Sequence, residues 1–506
     1  MPAPRATRSL SETHNLMGLV QHVKTLAKRR IVDRLHRRNQ RRLSARSRLR
    51  HGRLSETYWG ATVADNGHLL VQGTDVVELA RRHGTPLHVV NEIRLLQDYS
   101  DFLAPFRSRY PHVRLATSYK TNPVPAVLTR LHRYGTMAEV ISHFELWLAL
   151  HLGVDPSEIV LNGPGKTEAA MRLALERRIG LINLDGIEEI RELERLCEEL
   201  RATDVTVGVR LTTSVGWQSQ FGLSIANGLA EQAFGALAAS KVLCPRAVHI
   251  HLGTGIDSVD EYREAVEEVV VFARAVEDKY GLTIDTYDLG GGFGVPTVRF
   301  TDEWDARGHS FGYPDRTAVP EDAPTPAAYA AAILEILERL AGPAMAARRL
   351  RVILEPGRAI TSSAQMLLLS VVRRKAVAPD RRVLIVDGGK NVALPLGWEA
   401  HAILPADDMD GEPAARYDIY GPLCHPGDVI GRNVRLPPRD SGQLLAIMDA
   451  GAYFIPNQLN FSNARPPVVL IEDGQPLEVR SREEFPDVVR LDDFRLSATE
   501  RDPTTP

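Results

Sequence analysis

The chain has 506 residues, 44% of them hydrophobic and 25% charged. At about one domain per 150 residues this predicts two to four domains and excludes a disordered, collagenous or coiled-coil chain. No apolar run approaches the ~18 residues of a membrane helix. Three cysteines (Cys197, Cys244, Cys424) are too few for a disulfide scaffold, which fits a reducing, cytoplasmic compartment.

The formal charge of −3 hides an asymmetry. Residues 1–53 carry fifteen Lys or Arg against two acids, Glu12 and Asp33, about +13, which leaves about −16 for the rest. This basic extension is partly helical in pattern, and three readings of it stand open. It is a solvated arm or a helix lying on its own acidic body. It is a surface for nucleic acid or membrane. Or it is an organelle transit peptide, being rich in Arg and Ser and poor in acids.

Residues 54–86 read as short strands and a helix, ending in the turn Gly84-Thr85-Pro86 and joining a later β-domain. From 87 to 362 strand and helix patterns alternate. Eight apolar, β-branched segments recur at Val113–Ser118, Met137–Ile141, Ile159–Leu161, Gly180–Leu184, Val205–Leu211, Ala247–Leu252, Thr283–Leu289 and Arg351–Leu354. Helical stripes separate them, such as one with Asn122 as N-cap and Pro123 at its first position, and another over Tyr262–Lys279. Eight strand–crossover units predict a closed (β/α)8 barrel, with a doubly wound open sheet as the alternative. The stretch Pro296–Pro326 shows little periodicity and reads as a long functional or mobile loop. Residues 363–490 read as a β-domain of sandwich or barrel type, and 491–506 as a frayed tail.

In such a barrel function sits at the C-terminal ends of the strands. Those ends carry Lys120, Glu139, Asn162, Asp185, Arg210, His251, Gly290–Gly292, Glu355 and Arg358. Lys120 lies in Ser-Tyr-Lys-Thr-Asn-Pro, where burial is expected to lower its pKa and make the amine nucleophilic, as a Schiff base requires. The glycines after Asp288 allow a backbone cradle for a phosphate, or only a tight turn. Glu355-Pro-Gly-Arg358 offers a carboxylate for a protonated ring nitrogen and a guanidinium for an anion, or only a surface ion pair. His249 and His251 share one strand face, but no Cys or second His cluster accompanies them, so no metal is expected. Cys424-His425 sits among turn residues and reads as exposed and reactive.

Taken in order, these segments resemble the fold-type III pyridoxal-phosphate decarboxylases, which include diaminopimelate, ornithine and biosynthetic arginine decarboxylases. The resemblance rests on Tyr119-Lys-Thr-Asn, Glu139-Val-Ile-Ser with Glu145, His251-Leu-Gly-Thr, Gly290-Gly-Gly-Phe, Glu355-Pro-Gly-Arg, Gly421-Pro-Leu-Cys and Gly451-Ala-Tyr, seven segments over about 400 residues. Gly84-Thr-Pro-Leu and Asp387-Gly-Gly point to the diaminopimelate branch. The resemblance implies an alanine-racemase-like barrel, a β-domain and pyridoxal 5'-phosphate as cofactor.

By the same resemblance Lys120 would hold the cofactor, Glu355 would keep its ring nitrogen protonated, and His251 would stack on the ring. Glu139, Thr254, Gly291, Gly292, Gly357, Arg358 and Tyr453 would complete the cofactor site, and Arg358, Trp398, His425, Tyr453 and Phe461 would surround an amino-acid substrate. Cys424 would enter the active site of a partner subunit, which implies a homodimer with shared sites. The reaction implied is loss of carbon dioxide, with nucleic acid no part of it. A fold-type III racemase and a catalytically silent binding partner remain as rivals.

Three positions depart from the family. His425 stands where diaminopimelate enzymes carry an acid that reads the distal amino group. Leu394 stands before Pro395, where an arginine holds the distal carboxylate, and Trp398 falls near an expected tyrosine. The expectation is therefore a substrate whose far end is not that zwitterion, such as a conjugated amino acid.

Overall fold

The computed structural model describes residues 10–347, 349–378 and 381–492; the expected tail beyond Asp492 lies outside them. Among them no helix is long and apolar enough to cross a membrane. Eight parallel strands close a barrel: β1 (Val113–Ser118), β2 (Met137–Val140), β3 (Ile159–Leu161), β4 (Leu181–Leu184), β5 (Val205–Thr212), β6 (Leu243–His249), β7 (Thr286–Asp288) and β8 (Arg351–Leu354). Closure is made by β8 pairing β1 and by β4 pairing β5. The open-sheet alternative is thereby excluded.

Side chains alternate across a strand, so residues two apart share the barrel interior. Ala116, Met137, Val160, Leu181, Ala247 and Ile353 pack together inside as one apolar layer. Two residues further along each chain stand Ser118, Glu139, Asn162, Asn183, His249 and Glu355, all buried. The interior is thus an apolar plug beneath a polar layer at the catalytic end, which sets where charge can be placed.

The helices cover this barrel with apolar stripes. The helix Val259–Tyr280 buries Tyr262, Val266, Val269, Val270, Ala273 and Val276, and stops at Gly281 in a left-handed conformation (φ 67°). The Tyr262 ring stacks on Phe293 with centroids 4.8 Å apart and 2° between planes, so this helix also anchors the glycine segment. One expected helix start moves. The helix after β1 begins at Pro125, with Pro at its first position, because the Asn122 side chain is engaged by Gln365 and the Gly451 carbonyl.

A second sheet runs in the order Val429–Leu436, Ala415–Tyr420, Arg381–Val386, Gln365–Ala378, Leu87–Asn91, Val468–Glu472, Gln475–Arg480, and Leu444–Ile447 also pairs with Gln365–Ala378. The sequence reading began the barrel at residue 87. Instead Leu87–Asn91 pairs with Gln365–Leu368 and Val468–Ile471, since all five of its residues are buried as a central strand requires. The barrel side of that seam begins with the helix Glu92–Arg109.

The segment 296–326 is also ordered, contrary to expectation. It contains a strand Arg299–Phe300 paired antiparallel with Glu399–Ala400, then a helix Glu303–Ser310 that opens with an Asp302/Asp305 capping box. Asp305 is fully buried and accepts from Arg299 and Arg316. A short polar stretch can hold this form because its internal ion pairs replace the apolar periodicity it lacks. The basic extension forms a helix, Leu10–Arg46, whose C-terminal half lies on this segment. Of the three readings of the extension, the helix on its own body is the one found.

Candidate active site

Lys120 follows the end of β1 and its side chain is about a quarter exposed. Its Nζ donates to Glu139 Oε2 at 2.6 Å and to Ser118 Oγ at 2.8 Å. The expected depression of its pKa is not found. Burial pulls it down, but the charges of Glu139 and Glu355 and the hydrogen bond to Glu139 outweigh burial and push it well up. Glu139 is held below its ordinary range in return, although burial alone would raise it. The lysine and glutamate are therefore a charged pair at the cavity floor.

Asn162 ties this pair to the opposite side of the barrel. Its Nδ2 donates to Glu355 Oε1 at 2.6 Å and to Glu139 Oε1 at 3.2 Å, while its Oδ1 accepts from Asn183 at 2.8 Å. Glu355 Oε2 lies 3.8 Å from His251 Nδ1 and 3.9 Å from His249 Nε2. Behind it, burial and the charge of Glu355 push the pKa of the Asp288 carboxyl well above its ordinary value. His249, Asp288 and Glu355 offer donor atoms within 4.8 Å of one another.

His251 is oriented by backbone. Gly291 N donates to its Nδ1 at 3.1 Å, which places the ring proton on Nε2. Gly291 was expected to hold a phosphate; its amide is instead committed to this imidazole. Gly292, Gly357, Thr254, Arg358 and Tyr453 do line one small niche beside Lys120. The niche is built by close backbone approach. A Cβ on Gly292 would fall 2.4 Å from the Gly253 carbonyl, and one on Gly357 2.2 Å from Thr121 Oγ1. Tyr453 adopts φ 67° while its backbone N–H donates to the Thr121 carbonyl at 2.9 Å, a strained conformation kept where a site needs it.

Arg358 departs from its assignment as a free anion receptor. Its guanidinium makes a two-pronged pair with buried Glu399, at 2.6 and 3.0 Å. Glu399 also accepts from Trp398 Nε1 at 3.1 Å and His401 Nε2 at 2.9 Å. Burial pushes the Glu399 carboxyl up, yet His401 and Arg358 together hold it below its ordinary value. Arg358 also lies over the rings of Phe300 and Tyr453.

Above this floor opens a cavity of about 340 Å³, walled by Trp217, Phe221, Phe300, Trp398 and Asn457 as well as by Lys120, His251 and Glu355. Of Trp217, Phe221, Phe300, Trp398 and Asn457, only Trp398 was anticipated. Phe300 and Glu399 lie where periodicity gave no signal, although Glu399 adjoins Trp398 in sequence. Cys424, His425 and Phe461 are exposed and do not line this cavity. Phe461, expected at the substrate, is thus not brought there within one chain.

These features suit pyridoxal phosphate: an amine on one side, a buried carboxylate at the ring end, and a glycine-walled niche between them. The family model described as "Pyridoxal-dependent decarboxylase, pyridoxal binding domain" matches residues 99–362. Diaminopimelate decarboxylase of Methanothermobacter thermautotrophicus is 30% identical over 443 residues, covering 85% of this chain and 96% of that protein. The Bacillus subtilis diaminopimelate decarboxylase is 30% identical over 442 residues, 84% and 95% of the two chains. The solved diaminopimelate decarboxylase of M. jannaschii superposes with a TM-score of 0.76 at 26% identity, covering 86% and 97%. With its family matched over the whole barrel, the chain belongs to the pyridoxal-dependent decarboxylases and is a carboxy-lyase that uses pyridoxal phosphate.

Proposed function

We propose that this enzyme decarboxylates an α-amino acid whose far end lacks the paired ammonium and carboxylate of meso-diaminopimelate. The observation that carries this reading is the bidentate Arg358–Glu399 pair. A guanidinium already matched by a buried carboxylate is a poor receptor for a second one. The other arginine of the cavity, Arg210, lies over Phe221 at 4.3 Å and 3.4 Å from Asp185. The remaining outer walls carry no further charge and are mainly aromatic, with Trp217, Phe221, Phe300 and Trp398 beside Asn457. Such walls suit an uncharged or ring-bearing far end.

The residues divide the work. Bound cofactor supplies an electron sink for the carbon that loses carbon dioxide. Lys120 must yield a proton before its amine can attack, and Glu139 at 2.6 Å is placed to take it. Glu355 would hold a proton at the ring nitrogen, and Asp288 behind it has its pKa raised by burial and by the charge of Glu355. Thr254, Gly292, Gly357 and Tyr453 bind the phosphate. Because Cys424 and His425 are exposed and do not line the cavity of their own chain, the reading includes a homodimer in which they reach the partner's site.

The test is a panel of amino acids followed by evolved carbon dioxide and product identification. Turnover is expected for a monocarboxylic substrate, with meso-diaminopimelate at least ~10-fold poorer in kcat/KM. Efficient use of meso-diaminopimelate as the best substrate would overturn the substrate reading. Exchange of the α-proton in heavy water without carbon dioxide would favour a racemase instead.

A further inference from the structure

The N-terminal helix lies outside the matched family region, which begins at residue 99, yet it is connected to the substrate cavity by a short chain of contacts. Val32, His36, Asn39 and Leu43 are spaced four, three and four apart and so share one face of the helix. Val32, His36 and Leu43 are all less than 7% exposed.

What they meet is the segment 297–323. Gly308 lets the two helices touch: a Cβ there would lie 3.2 Å from His36 Nε2 and 3.7 Å from Val32 Cγ1. His36 stacks on Tyr313 at 4.5 Å, and the Tyr313 hydroxyl donates to Asp33. Asn39 clips the backbone of Thr317 twice, donating to its carbonyl at 2.8 Å and accepting from its amide at 3.2 Å. Arg42 and Arg46 both pair with Asp322, and Ser47 donates to Glu321 at 2.7 Å.

The other side of the same segment is a cavity wall. Its strand Arg299–Phe300 pairs with Glu399–Ala400, with Phe300 opposite Glu399, and Thr301 N donates to the Trp398 carbonyl at 2.9 Å. The two-stranded pair therefore presents Phe300, Trp398 and Glu399 to the substrate. Two residues per strand are too few to hold a ladder alone. Its stiffness must come from what lies behind it, which is Asp305 with Arg299 and Arg316, and then the helix.

We propose that the N-terminal helix is a brace for the specificity wall: through Asn39 and the His36–Tyr313 stack it positions Phe300, Trp398 and Glu399, and so sets the fit of the substrate's far end while leaving the cofactor site alone. These are positioning residues. None of them touches the cavity that holds Lys120. The proposal deepens the substrate reading above, but its first test does not depend on it.

That test is hydrogen exchange on the full-length holoenzyme carrying Asn39→Ala, and on a chain beginning at residue 48. Exchange of the amides in 299–301 and 398–400 is expected to rise about tenfold or more, with the amides of β1–β8 unchanged. Pyridoxal phosphate affinity should stay within about twofold. If the truncated chain does not fold, Asn39→Ala alone decides. Unchanged exchange at 299–301 and 398–400, or a rise spread over the barrel, would overturn the brace.

The second readout uses the best amino acid from the panel. KM should rise about fivefold with kcat within about twofold, because uniform binding is lost rather than transition-state binding. A fall in kcat alone would also overturn it. An absence of any decarboxylated amino acid would instead strike the substrate reading, and leaves the exchange result standing on its own.

Discussion

Lys120 and Glu399 face the same cavity, but they are held by different kinds of structure. Lys120, Glu139, Asn162 and Glu355 stand at the ends of barrel strands, one layer above an apolar plug, and they bond to one another. Glu399, Trp398 and Phe300 stand on a two-stranded pair outside the barrel, backed by the ordered segment 297–323 and the basic helix. The inner layer is continuous with a closed ladder in which every strand has two neighbours. The outer wall depends on polar contacts between pieces far apart in sequence. The contrast suggests why chemistry and selectivity are separable here: the outer wall can change without disturbing the proton-handling layer.

The largest effect should come from the inner layer. Lys120→Ala is expected to abolish turnover, by about 10³-fold or more, and to prevent borohydride from fixing the cofactor to the chain. The fold should survive. Mixing this variant with Cys424→Ala is a sharper form of the same experiment. If sites are shared, a heterodimer carries one intact site, and random exchange of subunits restores up to about a quarter of wild-type activity. Two inactive variants that never complement would mean that Cys424 acts within its own chain, and would remove the shared-site dimer from the reading.

The outer wall should respond more gently and in selectivity. Glu399→Gln removes the charge that matches Arg358 while keeping an acceptor for it. The guanidinium is then free to meet a carboxylate, and kcat/KM for meso-diaminopimelate should rise about tenfold while that of the preferred substrate changes less. An equal fall for both substrates would mean that Glu399 supports the site as a whole, and the division between layer and wall would fail.

The two regions also differ in how far the sequence disclosed them. The inner layer was legible because barrel strands have a fixed period. Once Val113–Ser118 or Arg351–Leu354 is seen as a strand, the polar residue at or just past its end must point into the mouth, which singled out Lys120, Glu139 and Glu355. The wall had no such period. Phe300 lies in a stretch whose order comes from Asp305 and its two arginines rather than from an apolar stripe, and Glu399 is distinguished only by what it touches. Lys120 shows a subtler limit. Its burial was foreseen, but the sign of its pKa shift turns on the distance to Glu139, which no strand pattern supplies. The strand Leu87–Asn91 was assigned to the wrong sheet for a related reason, since a fully buried run looks the same in either.

The smallest predicted effect tests whether the inner layer behaves as one electrostatic unit. Glu145 accepts a hydrogen bond from Ile141 N at 2.7 Å and is buried. Burial and the charge of Glu139 push its carboxyl up to about 7. A carboxyl whose pKa is raised on folding binds its proton more tightly in the native state. Its contribution to stability is thus fully present below the unfolded value near 4.5 and is lost as pH rises through about 7. Glu145→Gln keeps the acceptor for Ile141 and cannot ionise. Between pH 5 and 8 the wild type should therefore lose on the order of 2 kcal/mol relative to the variant in urea unfolding. Parallel stability curves for wild type and Glu145→Gln would show that the charge of Glu139 does not reach beyond its lysine, and the layer would have to be treated as separate pairs.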